Sequence, residues 1–187
     1  GKFADENGPF LVRRLRDLGT DLERLVTIAD DPAAIAHEVR FCADRYDHVF
    51  TSGGVGPTHD DLTLDSIATA FGVDSHIHPR LEALLRAADL TDAHAMRMAT
   101  VPTGTELLWE GAASYPVLRM RNVFIFPGIP KLFRLKFEQI AHHVAGEAIH
   151  TARLYCAEAE TGIAGRLAEA QRDHPAVDIG SYPRFGE

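Results

Sequence analysis

Thr51-Ser52-Gly53-Gly54-Val55-Gly56-Pro57-Thr58-His59-Asp60-Asp61-Leu62-Thr63 is the stretch whose reading decides the fold. His48-Val49-Phe50-Thr51 reads as a short strand leading into it, and Leu64, Ile67, Ala68 and Phe71 follow at helical spacing. Between them, Gly53, Gly54 and Gly56 let the backbone turn sharply and let a ligand approach the main chain. A strand that ends in such a loop and then opens a helix directs free N–H groups at one point, which is an anion-binding geometry. The commonest phosphate-loop patterns do not fit. No Lys follows the last glycine, as a Walker loop demands, and His59 stands where a dinucleotide fingerprint places its third glycine. A plain strand-to-helix turn, with Asp60, Asp61 or Thr63 as helix cap, is the alternative. Two carboxylates beside a phosphate-type loop repel an anion unless a cation sits between them. The loop therefore suits either a Mg²⁺-bridged phosphate or a neutral polar ligand held by acceptors.

Outward from this loop, strand and helix patterns alternate. Leu11, Leu15 and Leu18 recur at helical spacing, with Pro9 in the first turn and Gly19 as the stop. Leu22 to Ile28 reads as a strand. Asp31-Pro32 opens a helix carrying Ile35, Val39, Cys42 and Tyr46 on one face, and Gly72 ends the helix after the glycine loop. Residues 79–99 read as helical. Thr103-Gly104-Thr105 and Glu110-Gly111-Ala112 read as turns around a short hairpin, and Asn122 to Phe126 as a continuous apolar strand. Pro127-Gly128-Ile129-Pro130 then leads into a helix through Phe133, Phe137, Ile140 and Val144, whose phenylalanines read as core. Ala152 to Cys156, a helix marked by Ile163, Leu167 and Ala170, and Ala176 to Ser181 form a closing βαβ pattern. Alternation of this kind predicts a layered α/β domain with a mostly parallel sheet. In such sheets ligands sit outside the carboxyl ends of the strands, where the glycine loop and Asp30-Asp31 both fall.

Composition bounds the function. With 187 residues, 45% hydrophobic and 25% charged, the chain suits one main domain with a small appendage. A net charge of −8 argues against nucleic acid or an anionic membrane as partner. Only Lys2, Lys131 and Lys136 are lysines, so cationic chemistry falls to arginine. Cys42 and Cys156 form neither a disulfide framework nor a metal-spacing motif, which fits reduced thiols and a cytoplasmic location. His76, His78 and His94 read as surface histidines rather than a metal site, and His142-His143 as a favourable helix end.

The central string resembles the signature of the molybdopterin-binding domain shared by the MoaB/Mog family, gephyrin, the CinA amino-terminal domain and the amino-terminal domain of eukaryotic FAD synthases. Gly-Pro-Thr-x-Asp-Asp-Leu-Thr with its doubled Asp60-Asp61 is closer to the CinA and FAD-synthase branch. Gly1 to Leu11 is similar to that branch's first helix entry, and Ile28-Ala29-Asp30-Asp31 with Ile35 to its second. Pro127-Gly128-Ile129-Pro130 resembles its proline-glycine turn, and Ile179-Gly180-Ser181-Tyr182-Pro183 a segment that follows the domain in the FAD-synthase type. The chain departs from the branch at Lys131-Leu132, where Glu-Met is usual, and at Thr105, where Ala closes the Pro-x-Gly-Ala turn.

The resemblance implies a three-layer domain over residues 1–147, with a core strand expected ahead of Gly1, and a small second α+β domain beginning at 148–187. It implies binding of molybdopterin or a nucleotide, with Mg²⁺ or another divalent cation, possible use in molybdenum-cofactor synthesis, and no membrane or nucleic-acid partner. Asp61, Asp30 and Asp60 are the implied catalytic acids, with Asp60 and Asp61 as metal ligands. Asp5, Asn7, Ser52, Gly53, Gly54, Gly56, Pro57, Thr58, Thr63, Pro127 and Gly128 are the implied ligand-binding residues. Three functions are compatible: a pterin- or nucleotide-binding domain with adenylyl transfer, a metal-dependent pyrophosphohydrolase of ADP-ribose, FAD or a relative, and a non-enzymatic oligomerising module. Family habit also predicts a homo-oligomer, dimer or trimer. Light scattering across micromolar concentrations is expected to give two or three times the monomer mass.

Overall fold

Every residue of the apolar run Val123–Phe126 is buried, because both faces of the strand it forms are covered by helices. The computed structural model describes residues 4–109, 115–147 and 150–183. In chain order the elements are α1 (Asn7–Asp17), α2 (Pro32–Ala43), β1 (Val49–Ser52), α3 (Thr63–Phe71), β2 (Ser75–Ile77), α4 (Pro79–Ala87) and α5 (Ala93–Arg97). Next come β3 (Thr100–Pro102), β4 (Glu106–Leu108), β5 (Val117–Met120), β6 (Val123–Phe126), α6 (Pro130–Ile140), a 3₁₀ turn at Ala141–His143, and α7 (Glu160–Asp173). The chain divides into two compact units, Gly1–Ile149 and His150–Glu187.

The first unit is a three-layer α/β sandwich. Its central sheet runs β1-β6-β5-β4 and is mixed: β1 pairs with β6 in parallel, and the other two pairings are antiparallel. Alternation along β6 supplies both layers. Val123 and Ile125 face a core built with Val39 of α2, Ile67 and Phe71 of α3, and Leu81 and Leu85 of α4. Phe124 and Phe126 face the opposite core, with Leu11 and Leu15 of α1 and Phe133, Phe137 and Ile140 of α6. This second core is aromatic. Phe126 and Phe133 have ring centroids 5.0 Å apart, and Phe10 meets Phe137 edge-on at 5.7 Å. Such pairs add about 0.5–1.5 kcal/mol each beyond area burial.

Several helix boundaries follow from local chemistry. The Asp31 carboxylate accepts the Ala34 N–H at 2.7 Å and Pro32 occupies the first turn of α2. Gly72, with φ +64°, closes α3 in the left-handed conformation.

Two expectations for this unit need correction. Leu22 to Ile28 forms no strand. Its first residues line a groove of about 390 Å³ together with Val49 and Phe50 of β1, and among the described residues no strand pairs with it. Residues 79–99 are helical as expected, in two helices, because Asp89 takes positive φ (58°) and Asp92 caps a new start. Thr103-Gly104-Thr105 does not close a hairpin: β3 pairs with β2 while β4 pairs with β5, so the turn carries the chain between sheets. The companion turn at 110–112 lies outside the described residues.

In the second unit, the expected strands at 152–156 and 176–181 do not form. At the second of these spans the Gln171 amide on α7 takes the backbone, donating to the Val177 carbonyl at 2.7 Å and accepting the Ile179 N–H at 3.0 Å. None of the residues of α7 is buried.

Truncating a fully buried ring tests the aromatic layer. Phe137→Ala is expected to cost about 3–5 kcal/mol in urea unfolding. A loss below about 1 kcal/mol would contradict the packing described.

Candidate functional site

β1 and β6 end side by side, and the chain leaves both toward helices. From β1 it passes through Gly53 to Leu62 into α3; from β6 it passes through Pro127 to Ile129 into α6. Ser52 pairs with Phe126 in the ladder, and the Gly53 N–H donates to the Phe126 carbonyl at 3.0 Å. The two exits then pack backbone to backbone. A Cβ added to Gly128 would lie 3.2 Å from the Gly53 Cα, a tight approach that the facing backbone would have to relieve by a few tenths of an ångström. The start of α1 closes the third side. The buried Asn7 side-chain amide donates to Ser52 Oγ at 2.8 Å and to the Gly128 carbonyl at 2.9 Å, tying α1 to both strand ends. Three helices therefore begin around one point, each with the positive end of its dipole inward.

The glycine loop itself is folded by two residues. Thr63 clamps it to the strand end. Its hydroxyl donates to the Gly53 carbonyl at 2.8 Å, and its N–H donates to the Gly54 carbonyl at 2.9 Å. Asp61 folds the distal half: its carboxylate accepts the Thr58 N–H at 2.9 Å and the Thr58 hydroxyl at 2.5 Å. The alternative of Asp60, Asp61 or Thr63 as a helix cap does not hold. Leu62 is the N-cap residue and no side chain caps α3. Burial pushes the Asp61 carboxyl up, but the Thr58 hydroxyl and the Gly56 and Thr58 N–H groups that donate to it prevail and hold it below its ordinary value. The group is thus ionised at neutral pH.

Beside this loop lies a cavity of about 190 Å³, lined by Gly54, Gly56, Asp61, Asp65, Arg97 and Thr100 together with Val55 and Leu64. Whole small-molecule sites run to about 300–1,000 Å³, so this cavity has room for no more than one end of such a molecule. Of the residues expected from sequence, Gly54, Gly56 and Asp61 line it, and Gly53, Pro57, Thr58 and Thr63 build its loop. Ser52, Asn7, Pro127 and Gly128 form the adjoining strand-end junction. Asp5 is committed locally, since its carboxylate accepts the Asn7 and Gly8 N–H groups at 3.0 Å each and caps α1. Asp30 is exposed in the entry to α2 and does not line the cavity; Asp60 is exposed on the loop. Asp65 and Arg97 escaped the sequence reading. Arg97 lies 36 residues from Asp61 in sequence and is brought to it only by the packing of α5. No group of three or more His, Cys, Asp or Glu among the described residues could hold a metal ion unaided. No helix among them is long and apolar enough to cross a membrane.

These features coincide with a known family. Residues 1–146 match the probable molybdopterin binding domain, and residues 148–187 match the middle domain of FAD synthase. The chain belongs to the molybdopterin-binding-domain family. A protein of Archaeoglobus fulgidus is 31% identical over 186 residues, covering 100% of this chain and 81% of that one. A probable FAD synthase of Caenorhabditis elegans is 32% identical, covering 99% of this chain but 41% of its own length, so the present chain spans under half of that relative. The crystal structure of the protein CinA, of unknown function, from Thermoplasma acidophilum superposes with a TM-score of 0.69 at 25% identity, over 77% of this chain and 89% of that one.

Gly54 and Gly72 offer a controlled comparison, with φ of +66° and +64°. A Cβ on Gly72 meets nothing within 4 Å, whereas one on Gly54 would lie 2.4 Å from Thr63 Oγ1. Gly72→Ala is expected to cost about 1–2 kcal/mol, the left-handed penalty alone. Gly54→Ala is expected to cost clearly more in the same denaturant titration. Equal costs would mean that the Thr63 clamp does not hold the loop.

Proposed function

We propose that residues 1–147 bind a small molecule carrying a pyrophosphate, a pterin or a nucleotide, with the phosphate end at the glycine loop. The observation that carries this reading is the cavity at the carboxyl end of β1, where main chain freed by Gly54 and Gly56 meets the start of α3. The Gly53, Gly56, Thr58, Asp61 and Thr63 N–H groups are spent inside the loop, so in this reading the loop's remaining N–H groups and those of the first turn of α3 hold the phosphate oxygens, without the bulk of side chains. Molybdenum-cofactor metabolism, with adenylyl transfer to the pterin, is one setting for such a site.

A second reading, metal-dependent hydrolysis of ADP-ribose, FAD or a related nucleotide, draws on Asp61. This carboxylate is ionised and reaches the cavity wall. Asp60 and Asp61 supply two carboxylates at most, too few for a protein-built cage. The set fits Mg²⁺ that arrives with the phosphates, because Mg²⁺ keeps several waters and takes one or two carboxylates plus substrate oxygens. Such an ion neutralises charge developing on the pyrophosphate. In this reading Asp60 and Asp61 hold the ion and the loop N–H groups not spent on Asp61 orient the phosphates, while Asp30, the second acid of the adenylyl-transfer reading, stands outside the cavity wall. An oligomerising module without catalysis is the outcome if no ligand binds.

A thermal-shift screen with FAD, ADP-ribose, AMP and molybdopterin, each with and without Mg²⁺, tests the binding reading. At least one is expected to raise the melting temperature; none doing so would reject it. Under the hydrolytic reading, Asp61→Asn is expected to abolish Mg²⁺-dependent turnover, on the order of several kcal/mol of transition-state stabilisation. The same variant reports on the loop. Because the folded Asp61 carboxyl lies below its ordinary value of 3.8, its contribution to stability is present above that pH. It is lost as pH falls through the lower folded value. The melting difference between wild type and Asp61→Asn should therefore shrink under acid, and a difference independent of pH would show that the charge of Asp61 does not order the loop.

A further inference from the structure

A phosphate at the glycine loop faces an electrostatic difficulty, because Asp61 and Asp65 both line the cavity. Two unit charges 4 Å apart interact by about 4 kcal/mol at an effective dielectric of 20, enough to expel an anion that has no counter-charge. The cavity wall contains one cationic side chain, Arg97, at the carboxyl end of α5. Its guanidinium makes a long contact, Nη2 donating to the Asp61 carbonyl at 3.4 Å, and no ion pair among the described residues. By contrast, Arg86 is paired with Glu82, Arg119 with Glu106 and Arg14 with Glu138. The Nη2 contact sets the guanidinium beside the loop and leaves further donors for a ligand. An arginine fork carries five N–H donors and matches phosphate oxygens in pairs.

We propose that Arg97 is the counter-charge of this cavity, holding a phosphate group against the glycine loop without need of a metal ion. The assignment rests on the pyrophosphate-binding reading above and deepens it. It makes Arg97 a ligand-binding residue and gives the cavity its preference for a phosphate over a neutral polar ligand. Because Arg97 is exposed and outside the cores, its replacement leaves the fold standing.

The probe is inorganic pyrophosphate, titrated calorimetrically in EDTA at low ionic strength into wild type, Arg97→Ala, Arg97→Lys and the control Arg86→Ala. Wild type and Arg86→Ala are expected to bind alike, Arg97→Ala roughly tenfold to a hundredfold more weakly, and Arg97→Lys in between. Added salt should weaken wild type more than Arg97→Ala. Unchanged binding by Arg97→Ala, or wild-type binding that vanishes in EDTA and returns with Mg²⁺, would overturn the proposal. An equal loss in Arg86→Ala would overturn it too, by showing only an effect of net charge. The two readings fail separately. Arg97-dependent pyrophosphate binding with no response to pterin or nucleotide keeps the anion site and rejects the proposed function. Nucleotide binding that ignores Arg97 does the reverse.

Discussion

The parallel pairing of β1 with β6 is the constraint on which the rest of the molecule depends. It runs from Val49–Val123 to Ser52–Phe126 and brings two chain exits to the same edge of the sheet. Parallel strands cannot be joined by a tight turn, so each exit must lead into a helix that packs back on a face. Here one exit leads to α3 and the other to α6, on opposite faces. The four buried residues of β6 hold both layers, two side chains to each. The cavity lies along the first of these exits, where the glycine loop enters α3, and Gly128 on the second exit keeps its close approach to Gly53.

Around that point the polar groups divide into those that build and those that remain for a ligand. Asn7, Asp5, Asp31 and Thr63 are spent on backbone groups. Asp61 is half spent: it folds its loop through Thr58 and still faces the cavity. A carboxylate held low by hydrogen bonds stays charged, and a charged carboxylate beside an anion site demands a cation. The question of which cation, an arginine already in the wall or a metal carried by the substrate, separates simple binding from metal-assisted hydrolysis more sharply than the fold does. A shared fold hosts several chemistries, and function lies in the site grafted on it.

The family match covers the first unit nearly in full, and the match to the FAD-synthase middle domain covers the second. The two matches meet where the compact units meet, near residues 146–150. In the described part of the second unit no residue is buried, and α7 orders its neighbours through a side-chain amide rather than a core.

The sequence by itself determined the elements whose signals are local. Pro32 with Asp31 marks the start of α2, Gly72 the end of α3, and the apolar run to Phe126 a strand covered on both faces. The glycines between β1 and α3 place the loop, and the thirteen-residue string around them carries the family. Backbone conformation at glycine, proline and capping residues depends on neighbours a few positions away, which is why these features are legible in one dimension. The tertiary structure alone decided which strands pair, and so why Leu22 to Ile28 has no ladder and why residues 103–105 carry the chain to another sheet. It also decided that Asn7 and Asp5 serve the backbone and that Arg97 stands beside Asp61. Pairing and electrostatic neighbourhood are properties of distance in space, and no spacing along the chain encodes a contact made by helices that meet only after the sheet has formed.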